Sequence, residues 1–291
     1  LFHIGRAVAV PEWGCHVIAR AIPEGGEDAT GCYPLAALDP SADLAAGIER
    51  LRAMGFVSVT LTLDNVHRPP LEAFQSSFDV VRPFKTHYLH RGPLAHYQPS
   101  ADHRTKIRRA QRSVETRPIR LADHLAAWSA LYDGVGTRLG FSGVHAFPRP
   151  SFAMLAELPG IEAVGGFLDG ELVSCCLWAV DRGHIFSHLV ASDARGYEAR
   201  AAYAVYDASV RHFADADAIN FGGAAGAADD PEDGLTQFKR GFANERAQSY
   251  ICGAVLDRAA YQRLAPRGGA DTDNFFPRYR TPVAAGRTAG P

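Results

Sequence analysis

Residues 161–191 constrain the fold more than any other stretch of the chain. They read as three apolar runs, 161–168, 171–180 and 184–191, separated only by Asp169-Gly170 and by Asp181 to Gly183. Connections this short leave successive strands no course but back along one another, so the three runs are predicted to form an antiparallel meander. A helix is predicted over 198–214, with Tyr203, Tyr206 and Val210 on one apolar stripe. A short buried strand, Ala218 to Phe221, comes next, and the alternation of sheet and helix points to a layered α/β domain.

The chemistry concentrates just after that strand. Gly222, Gly223 and Gly226 follow at once, where a backbone turns tightly or lets a ligand approach. Asp229, Asp230, Glu232 and Asp233 then make a polar loop, and Leu235, Phe238 and Phe242 recur at i, i+3 and i+7, the spacing of a short helix anchored by its phenylalanines. Lys239 and Arg240 are thereby set beside exposed glycine backbone. Two cations near free N–H groups suit a developing oxyanion or a phosphate. Of 30 Lys and Arg residues only Lys85, Lys106 and Lys239 are lysines, so a lysine here is not the routine surface cation of this chain.

The first third alternates strand and helix. A strand is predicted over 15–22, a helix from Asp39, Pro40 and Ser41 to about Met54 with Leu44, Ile48 and Leu51 on one face and Gly55 as its stop, and a strand over 57–63. A helix over 71–77 and a strand over 86–90 complete it, the latter bordered by Lys85 and carrying His87 and Tyr88. Residues 93–99 read as a connector. His103, Arg104, Lys106, Arg108, Arg109 and Arg112 then form the densest positive stretch, on a helix over 101–113; it is either a solvated face or a surface for phosphates. A helix over 121–133 buries Trp128 and Leu131. Gly134, Gly136, Gly140 and Gly143 punctuate a predicted loop with Arg138, Phe141, His145 and Arg149, the kind of segment that covers a substrate.

Composition narrows the possibilities. With 47% hydrophobic and 21% charged residues the 291-residue chain can bury a core, and a net charge of −2 gives no global basic field. Nucleic-acid binding would have to rest on a local patch. Five cysteines without a CxxC pair read as reduced structural thiols, and twelve histidines without HExxH give no metal site. No run of 18 apolar residues occurs, and no charged segment followed by an apolar core opens the sequence, so a cytoplasmic monomer without membrane insertion is expected.

The segment FGGAAG, an acidic loop, then GLTQFKRGF with a following Tyr resembles the C-terminal signature of FemABX-type aminoacyl-tRNA-dependent transferases, a branch of the GNAT superfamily. Residues 103–119, 165–180 and 187–214 are similar, in order, to the basic helix and strand, the central hairpin, and the strand and helix of that family's second GNAT-like domain. The resemblance covers about 160 residues well and the N-terminal third loosely. It implies an α/β (α+β) chain of two tandem GNAT-like domains with mixed, largely antiparallel sheets flanked by helices: a degenerate domain over 1–98, a second over 99–262, and a peripheral or flexible tail over 263–291.

It further implies an aminoacyl-tRNA donor, a peptide or peptide-like amine acceptor (a peptidoglycan precursor or a peptide natural product), and no cofactor. Lys239 would stabilise the oxyanion, Phe238 would shape the acceptor channel, and Asn220 with Gly222 and Gly223 would orient the aminoacyl end. Arg104, Lys106, Arg108, Arg109 and Arg112 would meet the tRNA. Lys85, His87, Arg138, Phe141, His145, His188, Tyr206 and Arg240 would line the substrate site, with His188 one candidate for a general base that no motif assigns. The alternative is an acyl-CoA-dependent N-acyltransferase of the same fold. Against it, 194–201 reads ARGYEARA, with one glycine where Q/R-x-x-G-x-G/A would cradle a pyrophosphate.

Overall fold

The structure is a computed structural model and describes residues 4–64, 66, 68–140, 146–224, 232–265 and 275–281. In chain order its first elements are strands β1 (Arg6–Val10), β2 (Cys15–Ala21) and β3 (Glu27–Gly31), helix α1 (Leu44–Ala53), strand β4 (Ser58–Leu63), helix α2 (Leu71–Ser77) and strand β5 (Val80–Arg91). Helix α3 (Ala101–Ala110), strand β6 (Glu115–Ile119) and helices α4 (Leu125–Leu139) and α5 (Arg149–Ala156) follow. The chain then runs through β7 (Ile161–Leu168), β8 (Glu171–Asp181), β9 (His184–Ser192), α6 (Ala194–Glu198), α7 (Ala201–His212), β10 (Ala218–Gly223), α8 (Gly234–Arg240), β11 (Glu245–Val255) and α9 (Arg258–Leu264).

Two compact units result, one of Lys85–Ser249 and one of Phe2–Phe84 with Tyr250–Pro291. The division falls within β5 and β11, long strands of 12 and 11 residues that each contribute to both units. It does not fall in the expected connector. Leu94 and Tyr97 of that stretch are buried in the core of the larger unit, which makes 93–99 part of its packing.

In the smaller unit the strands lie in the order β1-β2-β3-β4-β11, antiparallel except for β3 beside β4. Trp13, Leu51, Phe56, Leu61 and Phe74 fill its core without exposure above 1%. Helix α1 starts four residues later than its acidic entry suggests. The Asp39 carboxylate accepts from the Ser41 amide at 2.8 Å and holds a turn there, so capping passes to Asp43, which accepts from Ala46 N at 2.9 Å. Within the expected tail, Phe276 is buried, and Tyr279 and Arg280 hydrogen-bond the wholly buried Asp28, so 275–281 is packed onto this unit.

The larger unit orders its strands β5-β10-β9-β8-β7-β6, with the first half of β11 beside β5. The meander forms as predicted. Its two turns, Asp169-Gly170 and Arg182-Gly183, take φ between +47° and +82°, the left-handed pairs that match the twist of the flanking strands. Helices α3 and α7 cover one face and α4 the other, and β8 is accordingly buried over seven consecutive residues. Helix α4 runs on to Leu139, through the glycines read as a loop. Burial of Trp128, Leu131, Tyr132 and Val135 keeps the helical period going past Gly134 and Gly136, outweighing about 1 kcal/mol of propensity per glycine. Arg138 is therefore on a helix, while Phe141 and His145 lie outside the described residues.

Candidate functional site

The parallel strands β9 and β10 pair over only three residues, Ala218 to Asn220 against His184 to Phe186. Beyond them β9 continues to Ser192, whereas β10 turns away. The buried Asn220 side chain makes that turn: its Oδ1 accepts from Gly222 N at 2.8 Å and lies 3.3 Å from His87 Nδ1 of β5. Gly222 takes φ +84°, and the β10–β5 register shifts before Gly223 meets His87. A Cβ on Gly223 would stand 2.7 Å from Thr86 O, so only hydrogen fits.

Helix α8 brings Lys239 to this opening. Asp233 caps the helix, accepting from Thr236 N at 3.0 Å, and the Lys239 ammonium donates to Gly223 O at 2.5 Å. A Cβ on Gly222 would be 3.0 Å from Lys239 Nζ, so the glycine also makes room for the ammonium. From β5, Lys85 Nζ donates to Ala224 O at 3.4 Å. Two of the three lysines thus converge on successive carbonyls. Burial pulls the Lys239 pKa down to about 8, Lys85 adds to that shift, and Cys176 and Asp233 oppose it. On the same face Ser187 Oγ shares a hydrogen bond with Tyr206 Oη at 3.0 Å and lies 3.9 Å from Cys176 Sγ. Burial holds the Tyr206 phenol far above its ordinary range and the Cys176 thiol at about 12, so both stay neutral.

Phe238 packs into an aromatic cluster, with ring centroids 4.9 Å from Tyr203, 4.8 Å from Tyr206 and 5.1 Å from Phe242. These contacts anchor α8 and so fix Lys239. His103 of α3 completes the anchor: its Nε2 is 2.8 Å from Phe238 O, and a Cβ on Gly241 would lie 2.1 Å from its ring. The basic helix is therefore two-faced. His103, Ile107 and Ala110 are buried toward α7 and α8, and Arg104, Arg108, Arg109 and the following Arg112 are exposed. Lys106 differs, pairing with Asp102 at 2.7 Å and lying 5.2 Å from the Tyr203 ring centre. Arg240 is exposed at the end of α8.

Two expected residues lie apart from this group. Ser187 faces Tyr206 of α7, whereas His188, where the β8–β9 register slips, packs edge-on to Phe147 at 5.9 Å. Burial pulls its pKa to about 4, which suits packing on the α4 face. Arg138 stacks on Tyr197 of α6, 4.1 Å from the ring centre, and donates to its hydroxyl. The expectations for Lys239, Lys85, Asn220, His87, Gly222, Gly223, Phe238 and Tyr206 fall on one assembled cluster. Ser187 carries no signal in the sequence, Cys176 reads there only as a structural thiol, and His103 reads as part of the positive stretch; the i, i+4, i+7 spacing of His103, Ile107 and Ala110 is the legible signal for its burial.

The turn after β9 bears on the donor. Asp193 accepts from Gly196 N at 2.7 Å, so the amide at the head of α6 is already taken by a carboxylate where a pyrophosphate would need free donors. A cavity of about 400 Å³ lies nearby, lined by Arg109 and Ser113 after α3, Leu168 and Asp169 of the β7–β8 turn, and Arg195, Glu198 and Ala199. Among the described residues no three His, Cys, Asp or Glu side chains group to hold a metal ion, and no helix is long and apolar enough to cross a membrane.

No family model matches this sequence, and no curated protein matches it. Solved structures do share its fold. FemX is similar at 12% identity over 86% of each chain, with a TM-score of 0.61. L-PGS from Bacillus licheniformis is similar at 14% identity over 84% of this chain and 81% of that one, with a TM-score of 0.60. The fold is thus an α+β arrangement of a mixed sheet flanked by helices, shared with FemX and L-PGS.

Proposed function

We propose that this protein is an aminoacyltransferase that moves an amino acid from aminoacyl-tRNA to the amine of a peptide or peptide-like acceptor. The observation that carries the reading is the Lys239 ammonium, held by α8 and Gly223 O at the opening between β9 and β10. The donor ester is already activated. Catalysis then needs alignment of the amine on the carbonyl and stabilisation of the tetrahedral oxyanion. The C–N bond forms, the ester C–O bond breaks, and the departing ribose oxygen takes a proton as the amine loses one. Lys239 donates to the oxyanion, and Asn220 with the glycine backbone sets the contour on which the aminoacyl end lies.

Two features favour tRNA over acyl-CoA as donor. Asp193 occupies the amide a pyrophosphate would use, and the exposed arginines of α3 offer a local cationic face on a chain of net charge −2. The test offers purified protein a pool of charged tRNAs carrying labelled amino acids, or labelled acetyl-CoA, with a panel of amine acceptors including peptidoglycan precursors. Amide product from the tRNA pool alone is expected. Product from acetyl-CoA alone would replace this reading with an N-acyltransferase.

The arginine face makes its own prediction. Arg108→Glu with Arg109→Glu is expected to weaken tRNA binding at least tenfold at moderate salt and to flatten the log K against log salt slope by about 1.5 to 2, as two phosphate contacts are lost. Filter binding over a salt series measures both. An unchanged slope would make the face a solvated one.

A further inference from the structure

We propose that Lys85 is a positioning residue for Lys239: the two ammonium groups, held on the successive carbonyls of Gly223 and Ala224, form one coupled pair that serves the oxyanion and the departing oxygen. This rests on the catalytic reading of Lys239. The geometry is a convergence from separate elements. Lys239 reaches Gly223 O from α8, and Lys85 reaches Ala224 O from β5, so both cations are held by neighbouring carbonyls of the chain leaving β10. Like charges brought onto neighbouring carbonyls disfavour each other's charged form.

Burial weighs most in driving the proton off Lys239, and among the described residues Lys85 is the charged group that acts with it. Cys176 of β8 and Asp233 at the head of α8 act in the opposite sense, Tyr206 of α7 is neutral, and the His87 ring lies against Gly223 and hydrogen-bonds Asn220. Burial acts together with Lys85. An acid whose pKa lies near the working pH transfers its proton more readily than an ordinary lysine does. In the reaction proposed above, the proton Lys239 gives to the departing ribose oxygen is replaced by the one the attacking amine loses, so the pair returns to its starting state.

Only three lysines occur in the chain, so selective 13Cε labelling yields three resonances, each assigned by its Lys→Arg variant. In the full chain without substrate, the Lys239 resonance is expected to titrate near pH 8. Lys85→Met is expected to raise that midpoint by about one unit, a tenfold gain in proton affinity, whereas Lys85→Arg keeps it low. The strand should survive the change, because Lys85 is held through its main chain: its N–H donates to Ser249 Oγ at 3.2 Å and its carbonyl accepts from that hydroxyl at 2.9 Å. Lys85→Gln repeats the measurement independently. A midpoint that stays within about 0.3 units in both neutral variants, or that rises equally with Arg, overturns the proposal. Because no donor or acceptor is present, failure of the aminoacyltransferase reading leaves this titration intact. With a working substrate pair, the alkaline fall of kcat should move upward in Lys85→Met, and a limb that does not move would separate the pair from the chemistry.

Discussion

Lys239→Met is expected to lower kcat by about 10² to 10³ with a much smaller change in KM, the pattern of a donor used in the transition state and not in substrate binding. Steady-state kinetics with both substrates saturating measures it. Lys239→Arg should recover part of the rate, since it keeps the charge but spreads it over a planar fork that cannot sit on Gly223 O and reach the oxyanion as the ammonium does. Lys239→Met should leave thermal stability unchanged or raised at neutral pH. The folded pKa of about 8 lies below the ordinary lysine value of 10.5, so between these values the unfolded chain holds more protons and stability rises with pH. Below pH 8 the charged form opposes folding; Lys239→Met removes that penalty and should abolish the rise in stability above pH 8. A folded variant with near-normal kcat would end the catalytic assignment.

Asp28→Ala is expected to destabilise the fold by about 3–5 kcal/mol, because it strands buried positive charge. Asp28 is wholly buried. Arg20 meets its carboxylate at 2.9 and 3.2 Å, Arg280 at 2.8 and 3.1 Å, and the Tyr279 hydroxyl donates at 3.2 Å. The Arg20 and Arg280 side chains are only 17% and 25% exposed, so neither can turn freely to water once the carboxylate is gone. Arg280→Ala should cost less, about 1–3 kcal/mol, since Arg20 remains paired. The adjacent residue is the control: Glu27 pairs with Arg6 on the surface, and Arg6→Ala should change stability by less than about 1 kcal/mol. Denaturant melts of the three variants test the ranking, and an Asp28→Ala variant as stable as Arg6→Ala would mean that the buried network holds the fold no better than an exposed ion pair.

Lys239 stood out in the sequence because a chain that uses arginine almost everywhere places a lysine beside glycines. Its surroundings were legible only in part. The α8 anchor could be read from Phe238 and Phe242, but Ser187 and Cys176 gave no sign of lying beneath it, since an alternating strand does not say what covers either face. His188 illustrates the same limit. Its neighbour Ser187 faces the Tyr206 cluster, whereas His188 sits where the β8–β9 register slips and packs on Phe147, so membership of the site turns on a local irregularity and on which helix packs where.

Local sterics and periodicity determined the meander, its left-handed turns, the stops and stripes of most helices, and the basic run of α3, because each depends on residues within a few positions of one another. Tertiary structure alone decided the rest. The order β5-β10-β9 brings Lys85 to the carbonyls that Lys239 also meets, burial carries α4 through two glycines, and packing on Asp28 turns the segment at 275–281 into a fixed part of its unit. These outcomes depend on which distant segments become neighbours. That is set by the burial of whole faces, which no short stretch of sequence contains.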